Sequence, residues 1–225
     1  MWVLLRIFVC EKSNYTNMKK IITLLLACIP LWSIAQDGTE NQKNYLKGAV
    51  PVVNGAVVFE QSYTAQGKTK QQIYDSLLVF TQKLVAAEDR QTQSRIMEND
   101  VDKGIIVANV EETLYFKKTK WVTDATRFYY HLIFECSDNK FKATMQRIRY
   151  IYEPERNFND GNPINAEEWI TDEHAFKKNG VELSRATGKF RRKTIDRKDE
   201  LFKQAAQAVR GKKKVKRIVF EEEEE

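Results

Sequence analysis

Two histidines and three cysteines are all that 225 residues set aside for metal or thiol chemistry. His131 and His174 lie far apart, and with Asp172, Glu173 and Cys136 they match no common metal-ligand spacing. Cys10 and Cys28 fall in apolar N-terminal pieces, so Cys136 is the only thiol beyond residue 35 and no intrachain disulfide is available there. Cys136 sits among apolar strand residues, where a thiol behaves as a small inert hydrophobe. No serine is flanked by glycines as a nucleophile elbow requires, and no internal repeat is visible. No apolar run reaches the roughly 20 residues that a membrane-spanning helix needs.

The apolar material that is present gathers near the start. In Met18–Gln36, MKKIITLLLACIPLWSIAQ, Lys19 and Lys20 precede a stretch from Ile21 to Ile34 broken only by Thr23, Pro30 and Ser33. Ser33 and Ala35 put small residues before a cut between Ala35 and Gln36. This order is that of a secretory signal peptide, so 18–35 is expected to be removed and the protein to be periplasmic or secreted. Residues 1–17 precede that signal's basic start and are expected to be an over-extended gene-model start. Cys28 suggests a lipoprotein instead, but Leu26 is a poor residue two places before a lipidated cysteine, and Ile29–Trp32 prolongs the apolar run. The formal net charge is +6, and removing 1–35 takes four basic residues and one acid with it, halving the excess.

Beyond the signal, 36–49 reads as a polar leader, 50–209 as a folded domain with a helical C-terminal part, and 210–225 as a charged, disordered tail. Ala56–Tyr63 has strand composition. Ile73, Leu77, Phe80, Leu84 and Ala87 then form one helical stripe, with Thr69 and Gln72 placed for a capping box. A hairpin is expected around Asp100–Gly104, with Glu111–Phe116 prolonging its second arm. A second hairpin turns at Asp138-Asn139, setting Cys136 opposite Phe141, Phe134 opposite Ala143 and Leu132 opposite Met145. That register makes one face apolar and puts His131, Glu135, Lys142, Thr144 and Gln146 on the other. After a loop over 154–165, Asn165 is placed to cap a helix running to about Lys178. The stretch 180–193 reads as irregular, and a last helix runs from about Thr194 to Val209.

The order strand, helix, four strands, helix, with the export signal, resembles a known family. The resemblance is carried by VPVVNGAVVFE, TKQQIYDSL, DKGIIVANV and EEWITDEHAFKKNGVELSRATGKFRRKTIDRKDELF, and covers roughly Val50–Ala208. The family is an exported bacterial domain of unknown function with a TATA-binding-protein-like (TBP-like) fold. It implies an α+β domain, an antiparallel sheet with helices on one face in β-α-β-β-β-β-α order. It assigns no catalytic residue.

The loudest chemical signal is the basic run GKFRRKTIDRKDELF, Gly188–Phe202. Nucleic acid would require apolar wedges and a strong positive field, whereas Arg197, Lys198, Asp199 and Glu200 alternate toward neutrality and an exported protein does not meet the genome. The run is therefore expected to be a solvated helix approach, dispensable to the fold, with at most weak contact to an anionic envelope surface through Arg191, Arg192 and Lys193. Arg127, Tyr129 and His131 alternate on the face opposite the core, and Ile148, Tyr150 and Tyr152 are expected near their end of the ladder. Tyr and Arg suit a half-dry binding surface; packing of these aromatics beneath the 154–165 loop or the tail is the plainer alternative. The expected function is a non-enzymatic envelope module without cofactor or metal, binding an envelope protein, glycan or lipid-like ligand through that face. An envelope hydrolase whose acids converge only in the fold is the runner-up.

Overall fold

The computed structural model describes residues 44–88, 93–153 and 162–211. The signal peptide with its Ala35–Gln36 junction, Cys28, the 1–17 segment, most of the polar leader and the tail after Gly211 lie outside the described residues. Among the described residues no helix is long and apolar enough to cross a membrane.

The fold is α+β. β1 (Val52–Val53) and β2 (Ala56–Thr64) make a hairpin over Asn54-Gly55. Both turn residues have positive φ, the requirement that selects Asn-Gly for a two-residue turn. α1 (Lys70–Val85) follows, and its Thr69–Gln72 capping box is complete. β3 (Arg95–Asp100), β4 (Ile105–Lys118), β5 (Thr123–Ser137) and β6 (Lys140–Tyr152) form a meander. β7 (Ile164–Asn165) and α2 (Ala166–Trp169) are short, and α3 (Gly188–Arg210) ends the described chain. The seven-stranded sheet is antiparallel in the order β1-β2-β6-β5-β4-β3, with β7 beside β6.

Both long helices lie against one face. Ile73, Leu77 and Leu84 of α1 are buried, and Phe80 meets Phe134 of β5 edge-on at 6.0 Å. From α3, Phe190 inserts among Tyr150 at 5.1 Å, Phe116 at 4.5 Å and Trp169 at 4.5 Å. Each such aromatic pair adds about 0.5–1.5 kcal/mol beyond its buried area. The β5–β6 register is the expected one: Cys136 faces Phe141, Phe134 faces Ala143 and Leu132 faces Met145.

That register does not continue along the strand. Between Tyr129 and His131 on β5 the partners jump from Arg149 to Gln146, so β6 carries one extra residue, and Arg147 adopts φ 54°. A β-bulge of this kind swaps the faces of everything after it. Phe141, Ala143 and Met145 face the helices before the bulge; Ile148 and Tyr150 do so after it, both buried. Tyr150 reaches Thr194 of α3, hydroxyl to hydroxyl, at 2.7 Å.

Two helix boundaries differ from expectation. The helix after Asn165 stops at Trp169, and the Asn165 side chain makes no cap, its amide donating to Glu168 Oε1 instead. Beyond the helix end, Asp172 accepts from Arg191 Nη2 at 2.7 Å and from the Gly48 N–H at 2.7 Å. The last helix begins at Gly188, so the whole basic run is helical. Gly188 packs so closely on Leu183 that a Cβ there would lie 2.8 Å from the leucine Cβ.

The basic run is also not solvated at its centre. Arg191 is fully buried. Its guanidinium donates to the carbonyls of Tyr45, Leu46 and Ile170 at 2.8, 2.6 and 2.6 Å as well as to Asp172. Arg191 is therefore a structural bolt between α3, the segment after α2 and the N-terminal segment, and it is sealed from any external anionic surface. Arg192 and Lys193 are half-buried.

Candidate functional site

The face of the sheet away from α1 and α3 carries the odd-numbered residues of β5. Arg127, Tyr129 and His131 are on it, as alternation demands. Tyr150 and Tyr152 are not: the bulge turns them toward the helices, where Tyr152 donates to Asp124 at 3.0 Å and accepts from Lys189 at 2.7 Å, while Ile148, buried at the bulge itself, still borders the open-face depression beside Arg147 and Arg149. The same shift brings Arg149, paired with Tyr129, onto the open face.

Tyr129 lies between two guanidinium groups, Arg127 at 5.8 Å and Arg149 at 5.7 Å from its ring centre. It is only 8% exposed. Burial first, then the neighbouring Glu111 carboxylate, push its hydroxyl up to about 12, so it remains a phenol. Glu111 is fully buried on the same face; Arg127 grips its Oε1 through Nε at 3.0 Å and Nη2 at 2.5 Å, while Oε2 has no hydrogen-bond partner among the described residues. The Ser94 hydroxyl holds the Glu111 backbone, accepting its N–H at 2.9 Å and donating to its carbonyl at 3.0 Å.

Beside Tyr129 the surface dips into a depression of about 380 Å³ lined by His131, Arg147, Ile148, Arg149, Asn165 and Glu167. Glu167 is committed to the fold, its Oε1 accepting the Val57 N–H at 2.6 Å. Arg147 and Arg149 form no ion pair among the described residues; Arg149 stacks on Tyr129 only. Burial, then the charges of Arg147 and Arg149, lower the pKa of His131 below its ordinary value. At neutral pH the depression thus offers a neutral imidazole and two cations without an ion pair among the described residues. The far end of the same face differs: there Lys142 sits 2.5 Å from Glu135 and 3.7 Å from Glu60.

Among the described residues no group of three or more His, Cys, Asp or Glu is placed to hold a metal ion. Cys136 lies on the helix side, buried, and burial pushes its thiol up to about 12.

Residues 59–151 match the model of a family described as "Domain of unknown function (DUF4468) with TBP-like fold". The crystal structure of a DUF4468 family protein from Bacteroides ovatus is similar at 32% identity, with a TM-score of 0.68 over 76% of this chain and 96% of that one. The chain belongs to this family. A TBP-like protein from Parabacteroides distasonis shares the fold at 21% identity, with a TM-score of 0.57 over 72% of this chain and 97% of that one. No curated protein matches the chain.

In this DUF4468 member, the residues that sequence reasoning missed are Arg147, Arg149, Asn165 and Glu167. A signal for the first two was present. The apolar set of β6 runs Phe141, Ala143, Met145 and then Ile148, Tyr150, Tyr152, a change of parity within one strand that only a bulge between Met145 and Ile148 reconciles. Asn165 and Glu167 carried no comparable mark, since their approach depends on where β7 and α2 dock.

Proposed function

We propose that this DUF4468 protein is a non-catalytic module, exported to the cell envelope, that binds a carboxylate- or phosphate-bearing ligand in the depression beside Tyr129. The observation that carries this reading is the pair Arg147 and Arg149, both exposed and unpaired among the described residues, on the rim of a 380 Å³ depression. Exposed arginines with no internal partner present several N–H donors in a planar fork, which fits carboxylate and phosphate oxygens two at a time. The volume suits a small ligand or the head of a larger one, a class that includes acidic glycans and lipid-like headgroups. Export is supported by the Met18–Ala35 leader; N-terminal sequencing of the mature form is expected to begin at Gln36, and a lipid-bearing Cys28 start would overturn that cleavage site in favour of a lipoprotein.

Two features support binding over hydrolysis. Glu167, the carboxylate lining the depression, already holds the Val57 N–H, and the Cys136 thiol is buried on the opposite side of the sheet. The test is a titration of the histidine ring proton resonances with glucuronate and with inorganic phosphate. The His131 midpoint should move to higher pH as either anion binds. Arg147→Gln with Arg149→Gln should abolish the movement. An unmoved His131 midpoint at saturating concentrations of both anions would reject this site.

A further inference from the structure

The hairpin joining β4 to β5 ends in Lys117-Lys118-Thr119-Lys120-Trp121-Val122, and every one of these residues is exposed. Trp121 is 86% exposed. Val122 and Tyr115 beside it are also exposed. A tryptophan displayed this far from any core forgoes the largest burial gain of any side chain. The display is built in: the Thr119 N–H donates to the Val122 carbonyl at 2.9 Å, and the Val122 N–H donates to Thr119 Oγ1 at 3.1 Å. These bonds close a tight turn with Lys120 and Trp121 at its apex.

The charges around the apex are positive except for Asp124, which stands opposite Lys117 in the β4–β5 register. Lys120 rides 5.3 Å from the centre of a Trp121 ring and Lys118 rides 4.6 Å from the Tyr115 ring. Lys117, Lys118 and Lys120 have no ion pair among the described residues. The nearest acid in sequence, Asp124, is already engaged by Lys189 at 3.0 and 2.8 Å and by the Tyr152 hydroxyl. The apex therefore combines an indole, a phenol ring and three ammonium groups without an ion pair among the described residues on a narrow, convex tip.

We propose that this hairpin tip docks on a bilayer surface bearing anionic phospholipid. Indole and phenol rings settle at the boundary between headgroups and acyl chains, one edge dry and the other wet. Flanking lysines supply attraction to acidic headgroups that falls off within a Debye length, and their long stems let the ammonium groups stay at headgroup level as the rings enter. A convex apex fits a deformable surface. Single-stranded nucleic acid is gripped by a groove lined with successive stacking rings, which a lone indole on a protruding turn does not provide. This docking depends on the hairpin alone and stands whichever ligand the open face takes.

The test must be specific to the tip, because the stretch Ile21–Ile34 would itself enter vesicles. It is the difference in tryptophan emission between the full chain and its Trp121→Phe variant, which isolates Trp121. With vesicles of phosphatidylcholine mixed with dibrominated phosphatidylglycerol, at low ionic strength, Trp121 emission should shift to the blue and lose most of its intensity. Molar salt, or the triple variant Lys117→Gln, Lys118→Gln, Lys120→Gln, should restore the water-exposed spectrum. Unchanged Trp121 emission, equal quenching by dibrominated phosphatidylcholine alone, or full quenching in the triple variant would each overturn the proposal. So would quenching by a single-stranded oligonucleotide at concentrations where vesicles have no effect.

Discussion

Arg197 of α3 clamps Glu112 of β4 with two parallel hydrogen bonds, Nε to Oε1 at 2.9 Å and Nη2 to Oε2 at 2.8 Å. The Tyr130 hydroxyl adds a third at 2.9 Å to Oε1, so a nearly buried carboxylate is satisfied inside the layer between sheet and helix. Burial alone would lower the pKa of Arg197, but the bonds and charge of Glu112 outweigh it and raise it. Removing one partner strands the other: Glu112→Ala is expected to cost about 3–5 kcal/mol in urea unfolding. The pair of changes Glu112→Leu and Arg197→Met should cost far less than the single changes added together. Additive costs would show that the clamp is not a unit.

Arg191→Ala should destabilise on the order of 3 kcal/mol, because three carbonyls and Asp172 lose their donor at once. Arg191→Lys should recover little, since a point charge cannot replace the planar fork. Hydrogen exchange would locate the damage: amides of residues 45–50 and 170–175 should lose protection before those of the sheet.

His131 gives the chain an acid-side weakness. Its folded pKa lies below the unfolded value of about 6.5, so below that pH the native state binds fewer protons than the unfolded chain. The stability this contributes is present above about pH 6.5 and is lost as pH falls through the folded pKa. Arg147 and Arg149 of β6 oppose its protonation, and Glu167 of α2 shares the depression. His131→Gln should flatten the decline of the melting temperature between pH 7 and 5 relative to the parent. An identical decline in both would remove His131 from the account.

Cys136 should resist alkylation in the folded protein at pH 8 and react only on unfolding. Burial holds its thiol near pKa 12, well above that pH, and Lys70 offsets this only in part. Peptide mapping distinguishes it from Cys10 and Cys28. Labelling of Cys136 at the rate of a free thiol under native conditions would contradict its placement.

Much of the architecture was legible because it rests on local periodicity. The period-2 alternation of Phe134, Cys136, Phe141 and Ala143 specifies both face and register, since a one-residue slip would expose all four. Thr69 and Gln72 specify a helix start because their side chains can satisfy only nearby N–H groups. Neither needs knowledge of what packs above. The family resemblance read from core and turn residues was sound for the same reason: those residues encode the α+β framework.

What the chain alone could not convey was the destination of its charges. By sequence, Arg191, Arg192 and Lys193 are alike. In the fold Arg191 is enclosed among four acceptors contributed by Tyr45, Leu46, Ile170 and Asp172, while Arg192 and Lys193 stay half-buried. The bulge at Arg147, which the parity change along β6 did mark, exchanges Tyr150 for Arg149 on the open face, but the absence of an acid beside Arg147 and Arg149 among the described residues is a property of the fold. Alternation and capping are determined by neighbours along the chain, so the sequence by itself determined the long strands, the first helix and the β5–β6 register from the turn as far as the bulge, but not the two-residue strands β1 and β7. Whether a guanidinium is enclosed or displayed depends on acceptors arriving from distant segments, so the tertiary structure alone decided which arginines hold the fold together and which face solvent.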